Sequence, residues 1–241
     1  MTQHTAPSAE DLDRVAARAL EEVQGGMRLG LGTGRAAEAF IRALGARVKA
    51  GLSVVGVATS ERSAALAAEV GIVVTTLEQV DALDVAIDGA DEVAPDLSLV
   101  KGLGGANLRE RVVAREASRF VVLVTPEKLV KRLGERAPIP VEVVPFAIGH
   151  ATRRLGRIAT VTAVTRRLAK DGSSPFVTDN GNAILDVAIA PTDKPGEMDA
   201  AMRAVAGVVD VGFFLGMADL VLVGDPGEVR ELRPPRATAS D

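Results

Sequence analysis

The chain has 241 residues, 47% of them hydrophobic, a net charge of −4, no cysteine and two histidines. That length admits one large domain, or a large one with a small companion. The acidic balance excludes a broad nucleic-acid surface, which needs clustered lysine and arginine. The lack of cysteine excludes disulfides and thiol catalysis. His4 and His150 lie far apart, which excludes a His-rich metal site and argues against a Ser-His-Asp triad.

No apolar run approaches the roughly 18 residues that suggest a membrane span. The opening segment MTQHTAPSAEDLDR lacks the basic and apolar regions of a secretion signal, so a soluble cytoplasmic protein is expected. The core must be aliphatic, since there are six Phe and no Trp or Tyr. Short Val, Ile and Leu runs suit strands buried on both faces, as in a parallel sheet.

Leu12, Val15, Ala16, Ala19, Leu20 and Val23 stand at helical spacing and predict a helix over 9–23, ended by Gly25-Gly26. A strand follows over 27–31, then a tight turn at Gly32-Thr33-Gly34 and a helix over 35–48. Residues 52–57 read as a strand, 60–70 as a helix ended by Gly71, and 72–75 as a short strand. The next strand is 83–87, followed by a helix over 106–117 and a strand over 120–124. Strands alternating with helices imply right-handed βαβ units and a doubly wound α/β domain.

The pattern changes near Pro138, where Pro-Ile-Pro-Val-Glu-Val-Val-Pro145 is extended and punctuated by proline. A helix is expected over 148–155. Asn180-Gly181 between the apolar runs of 176–187 predicts a hairpin with a type I′ turn. A helix over 197–205 and a strand near Val208 complete an α+β unit. Asp219-Leu-Val-Leu-Val223 restores the buried-strand pattern, so the chain is expected to return to the large sheet. The expected division is 1–133 plus 208–241 for the large domain and 134–207 for the small inserted one. The polar tail from Pro234 is expected to fray.

Gly30-Leu-Gly-Thr-Gly34 sits between a strand and a helix, where free amides and the helix dipole can hold a phosphate. It is neither a Walker loop nor a full GxGxxG. A tight turn with no ligand explains it as well, although Arg35 next to it favours an anion. Thr59-Ser60-Glu61-Arg62-Ser63 opens a helix. Ordinary capping by Thr59 or Ser60 accounts for these hydroxyls; facing a ligand cleft is the alternative.

The densest chemistry is Asp88-Gly-Ala-Asp91-Glu92, then Lys101-Gly-Leu-Gly-Gly105 and Arg109-Glu110. Asp88 ends an apolar strand, and a carboxylate there is costly unless it is paired or hydrated in a cleft. Lys101 is the evident partner, and Gly102, Gly104 and Gly105 let backbone approach a ligand. Glu110 lies on the following helix and, taken alone, reads as a solvated helix glutamate. Together these residues suit proton transfer on a sugar phosphate. A carboxylate with a raised pKa can remove a proton alpha to a carbonyl, while a lysine and backbone amides stabilise the enediolate oxygen. Such chemistry requires no metal or redox cofactor.

At these residues the chain resembles the ribose-5-phosphate isomerase A family. The markers, in order, are DGADE at 88–92, KGLGGANLRE at 101–110, PIPVEVVPFA at 138–147 and FVTDNGNAILDV at 176–187. The resemblance spans nearly the whole chain, from the Gly-Thr-Gly turn to Gly224. It implies a Rossmann-like doubly wound domain with an inserted smaller ferredoxin-like α+β domain. The implied activity is cofactor-free interconversion of D-ribose 5-phosphate and D-ribulose 5-phosphate through an enediol(ate), by a homodimer or homotetramer. By resemblance Glu110 is the general base, Asp88 serves ring opening, and Asp91 and Lys101 bind the sugar oxygens. The implied substrate-binding residues are Thr33, Gly34, Arg35, Ala36, Gly89, Ala90, Gly102, Leu103, Gly104 and Lys128. A small-molecule sugar phosphate is the expected partner, with no nucleic acid and no membrane.

Four features depart from the family pattern. Arg35 and Ala36 stand where the family usually has Ser and Thr, and Leu12 where it often carries a basic residue. Leu103 replaces a glycine, and Asn107 an apolar residue. The phosphate or sugar pocket is therefore expected to differ while the proton-transfer residues are kept. The alternatives are a diverged enzyme acting on another phosphorylated sugar and a non-catalytic sugar-phosphate sensor. The sensor reading lacks a helix-turn-helix segment before Ala9 and leaves Glu110 unexplained.

Overall fold

A computed structural model describes residues 9–234. His4 and the tail beyond Pro234 lie outside them. Helix α1 (Ala9–Ala19) ends in a short 3-10 turn and buries Val15, Ala16 and Ala19, as its spacing requires. Then come β1 (Arg28–Leu31), α2 (Arg35–Lys49), β2 (Val55–Ala58), α3 (Glu61–Glu69), β3 (Val73–Thr75) and β4 (Val85–Gly89). Two short strands, β5 (Glu92–Val93) and β6 (Leu99–Val100), precede α4 (Asn107–Glu116) and β7 (Phe120–Val124). The second half holds β8 (Ile139–Val143), α5 (Ile148–Leu155), β9 (Val161–Arg166), β10 (Ala183–Ile189) and α6 (Pro195–Arg203). It ends with β11 (Val208–Val211), β12 (Phe213–Phe214), β13 (Leu220–Asp225) and β14 (Glu228–Leu232).

The large sheet runs β14-β13-β7-β4-β1-β2-β3, parallel except for the edge strand β14. β2 and β3 lie to one side of β1, and β4, β7 and β13 to the other, so the winding reverses between β1 and β4. In an open α/β sheet, ligands bind at the carboxyl ends of the strands flanking that reversal. The Gly32 turn leaves β1 and Asp88 leaves β4 at this place.

α1, α2 and α3 cover one face through Val15, Phe40, Ile41, Leu44 and Leu66. α4 packs its Val113 and Ala114 on the other face. The second sheet, β11-β8-β10-β9, is antiparallel and carries α5 and α6 over Val141, Leu155, Leu185 and Met202. α4 contacts β4 of the large sheet and β8 and β11 of the small one, so it is enclosed between them. A third sheet, β12-β6-β5, joins Phe213 and Phe214 to the segment between Asp91 and Lys101.

Two regions differ from the sequence expectation. The 176–187 hairpin does not form as a ladder. Val177 makes a single bridge to Ala183, and β10 pairs instead with β8 and β9. Gly181 takes φ +78° while Asn180 stays out of the left-handed region, so the turn is not type I′, which needs positive φ at both positions. The buried Glu142 carboxylate explains the local shape. Its Oε1 accepts from Thr178 Oγ1 at 3.0 Å, Asn180 Nδ2 at 3.1 Å and Asn182 Nδ2 at 2.9 Å. The second difference is that β9 and β14, both unforeseen, are edge strands largely open to solvent, without a clean apolar alternation.

Candidate active site

Asp88 projects from the end of β4 and is 3% exposed. Its Oδ1 accepts the Thr33 amide at 3.0 Å and the Gly89 amide at 2.7 Å. The first contact requires the β1 turn to lie directly over the carboxylate. A Cβ on Gly32 would stand 2.2 Å from Asp88 Cγ, so only glycine fits there. Thr33 is braced from its other side, with its Oγ1 2.7 Å from Thr59 Oγ1 and 2.8 Å from Ser60 Oγ. Ser60 also caps α3 by accepting the Ser63 amide. The Thr59 and Ser60 hydroxyls therefore hold a turn and cap a helix, and neither residue lines the cleft.

Lys101 Nζ lies 2.9 Å from Asp88 Oδ2 and 3.3 Å from Glu110 Oε2, and donates to Gly89 O at 2.5 Å. The Glu110 contact is close enough for an ion pair but off the hydrogen-bond direction, and Oε2 has no hydrogen-bond partner among the described residues. Asp91 is half-buried, and its Oδ2 accepts the Leu103 amide at 2.9 Å. Glu110 is 4% exposed, unlike the solvated glutamate that its place on an isolated helix suggested, because two sheets enclose α4.

Burial pushes the Glu110 carboxyl up to about 8; Lys101 opposes this, while Asp88 and Asp91 reinforce it. Burial likewise raises Asp91, against the Leu103 amide and Lys101. For Lys101, burial pulls downward, but attraction to Asp88 and then Glu110 outweighs it, so the ammonium is held charged. A buried carboxyl that titrates near neutrality beside a fixed cation is suited to acid/base work.

In front of this cluster opens a cleft of about 160 Å³. Lys101, Glu110 and Asp91 reach it, as do Gly89, Ala90, Gly102 and Gly104. Its far wall is Thr33, Gly34, Arg35 and Ala36 at the start of α2, with Lys128 and Leu12 beside them. Gly34 holds φ +108° and gives α2 no side-chain cap, which leaves the first amides of the helix for an anion. Two expected residues stand apart. Asp88 lies behind Lys101 rather than on the cleft surface, and Leu103 turns its side chain to solvent at 40% exposure. Leu123, Val124 and Thr125 also line the cleft and were not anticipated. Leu123 and Val124 end β7 and Thr125 follows it; β7 pairs with β4 beside Asp88, so the strand-end rule applied to Phe120–Val124 could have found them.

The fold and this cluster define an α/β enzyme class with a buried carboxylate–lysine cluster at the carboxyl ends of parallel strands. The family model for ribose 5-phosphate isomerase A (phosphoriboisomerase A) matches residues 55–228. The ribose-5-phosphate isomerase A of Roseiflexus castenholzii is 48% identical over 93% of this chain and 96% of its own. That of Parvibaculum lavamentivorans is 46% identical over 90% and 95%. Among solved structures, ribose 5-phosphate isomerase A from Methanocaldococcus jannaschii superposes with a TM-score of 0.88 at 42% identity, covering 94% of this chain and all of that one. A D-ribose-5-phosphate isomerase in complex with phospho-erythronic acid gives a TM-score of 0.90 at 37% identity, over 95% and 100%. The chain belongs to the ribose 5-phosphate isomerase A family.

Proposed function

We propose that this chain interconverts D-ribose 5-phosphate and D-ribulose 5-phosphate, with Glu110 as the general base. The observation that carries the reading is a buried Glu110 titrating near neutrality, open to the cleft and 3.3 Å from the Lys101 ammonium. Family membership supports the substrate, and so does phospho-erythronic acid, a phosphorylated sugar acid, in the solved relative.

In the forward direction Glu110 takes the C2 proton of the open-chain aldose. The electron pair moves to the C1 carbonyl oxygen and gives an enediolate. Lys101 stabilises the negative oxygen, as an ammonium in a water-poor site does more strongly than in bulk solvent. Glu110 then returns the proton to C1, and the hydroxyl proton on O2 moves to O1, leaving a ketone at C2. Asp88 serves ring opening from behind Lys101, through the ammonium that its Oδ2 holds at 2.9 Å. Asp91 binds the sugar hydroxyls. The phosphate rests on the α2 amides, Thr33 and Lys128, with Arg35 closing over it through a geometry suited to phosphate.

The reading takes 1–133 plus 208–241 as the catalytic domain and 134–207 as the smaller one, although β11 itself pairs with β8 in the small sheet. A cytoplasmic homodimer or homotetramer belongs to the same proposal. No described helix is long and apolar enough to cross a membrane. The test is turnover of ribose 5-phosphate by wild type and Glu110→Gln, with calorimetric binding beside it. Loss of about 10²- to 10⁴-fold in kcat with binding retained is expected. Comparable turnover in both overturns the base assignment.

A further inference from the structure

Arg167 follows β9 and takes no part in the cleft wall, yet its guanidinium reaches the loop that carries Lys101. Nε donates to Asp186 Oδ2 on β10 at 3.0 Å, and Nη2 pairs with Asp186 Oδ1. Nη1 faces the other way and donates to Gly102 O and Leu103 O, each at 2.9 Å. The Phe176 ring lies 5.9 Å from the guanidinium. The same ring fills the space beside Gly105, where a Cβ would meet it at 2.3 Å. Thus the small sheet holds the Lys101–Gly105 loop through one cation and one ring.

Peptide planarity turns this clamp into a statement about the cleft. The 102–103 peptide is fixed at both ends, its carbonyl by Arg167 and its Leu103 amide by Asp91 Oδ2 at 2.9 Å. The carbonyl of the 103–104 peptide is also on Arg167, so its N–H at Gly104 points the opposite way. Gly104 lines the cleft, and among the described residues its N–H has no acceptor. A cation on the carbonyl also polarises the peptide and strengthens the N–H as a donor.

From this geometry we infer that Arg167 is a positioning residue, held by Asp186, which aims the Gly104 N–H at the sugar oxygen that becomes negative in the enediolate. The inference rests on the isomerase reading above. It requires an effect greater in the transition state than in the bound substrate.

Arg167→Met and Asp186→Asn are compared with wild type in turnover of ribose 5-phosphate and in calorimetric affinity for phospho-erythronic acid and for inorganic phosphate. Arg167→Met is expected to lower kcat about ten- to a hundredfold, with KM within about twofold. Affinity for phospho-erythronic acid, whose carboxylate carries the charge of the enediolate, falls by a similar factor, and affinity for inorganic phosphate stays. Asp186→Asn moves the same quantities in the same direction by less. Unchanged kcat in folded Arg167→Met overturns the inference. Equal loss of both ligands also overturns it, because that marks general damage to the cleft. If Arg167→Met does not fold, Asp186→Asn decides alone, and unchanged kcat and acid affinity reject the role. If wild type does not turn over ribose 5-phosphate, the isomerase reading fails and the inference with it, whereas an active wild type beside an unchanged Arg167→Met rejects the inference alone.

Discussion

Replacing Glu110, the proposed base, by glutamine is expected to stabilise the protein at alkaline pH. Burial raises the carboxyl from 4.5 to about 8. Below the lower value it is protonated in folded and unfolded states alike, and the variant and wild type differ little. Between the two values the unfolded chain ionises freely, whereas the folded one must keep the proton or bury a charge, so wild type loses stability as pH rises. Above the upper value the loss is complete. At about 1.4 kcal/mol per unit, the full shift corresponds to about 5 kcal/mol. Relaxation around Lys101 reduces this, so a gain of about 2–4 kcal/mol at pH 9 is the working figure. Glutamine keeps the volume, and Lys101 keeps its ion pair with Asp88 at 2.9 Å. The assay is urea denaturation of both proteins from pH 4.5 to 9, read as the difference in unfolding free energy, in which titrating groups remote from Glu110 cancel. A difference that stays flat with pH, or a variant less stable at pH 9, refutes the reasoning.

The same ionisation should appear in catalysis: kcat/KM for ribose 5-phosphate rises with pH through a single step near 8 and levels off above it. A profile already flat from pH 6 removes Glu110 from that role. Lys101→Met takes the cation from among Asp88, Asp91 and Glu110 and should destabilise the fold by about 3–5 kcal/mol at neutral pH, measured by denaturation. A loss below about 1 kcal/mol would show the carboxylates to be hydrated without it. Exchanging Arg35 for Ser together with Ala36 for Thr should shift the KM for ribose 5-phosphate or the range of sugar phosphates accepted. If neither moves, Arg35 does not contact the phosphate.

What could be read from the sequence depended on how local the cause is. Asp88, Lys101 and the glycines that follow Lys101 announce themselves because a charged residue at the end of Val85–Gly89 needs a partner nearby in the chain. The alternation of strands and helices likewise encodes the doubly wound sheet. The burial of Glu110 is not local. It arises because β11 and β8 cover the far side of α4, and nothing in Asn107–Glu116 records that cover. Arg167 is a stronger case, since its carbonyl partners lie 65 and 64 residues away. The hairpin expectation over 176–187 failed for the same reason. Asn180-Gly181 does turn the chain, but Ala183–Ile189 pairs with Ile139–Val143 on one side and, on the other, with Val161–Arg166, whose half-exposed pattern gave no sign of a strand.

The carboxylate cluster also shows how a fold decides which carboxyl carries the proton. Asp88, Asp91 and Glu110 share one buried lysine, and three charges cannot be kept in such a space without donors to hold them. Backbone amides supply those donors unequally. Asp88 receives two, from Thr33 and Gly89, and Asp91 receives one, from Leu103. Glu110 Oε2 has only the off-axis Lys101. The proton therefore rests on Glu110, the carboxyl on a helix, whose own backbone amide is already committed to Ala106 O. The two aspartates stand at strand and loop ends, where free amides are available. Acid/base chemistry at neutral pH needs one carboxyl that keeps its proton into the neutral range and can still release it. Here that division follows from which residue sits on a helix and which sit at the open ends of strands.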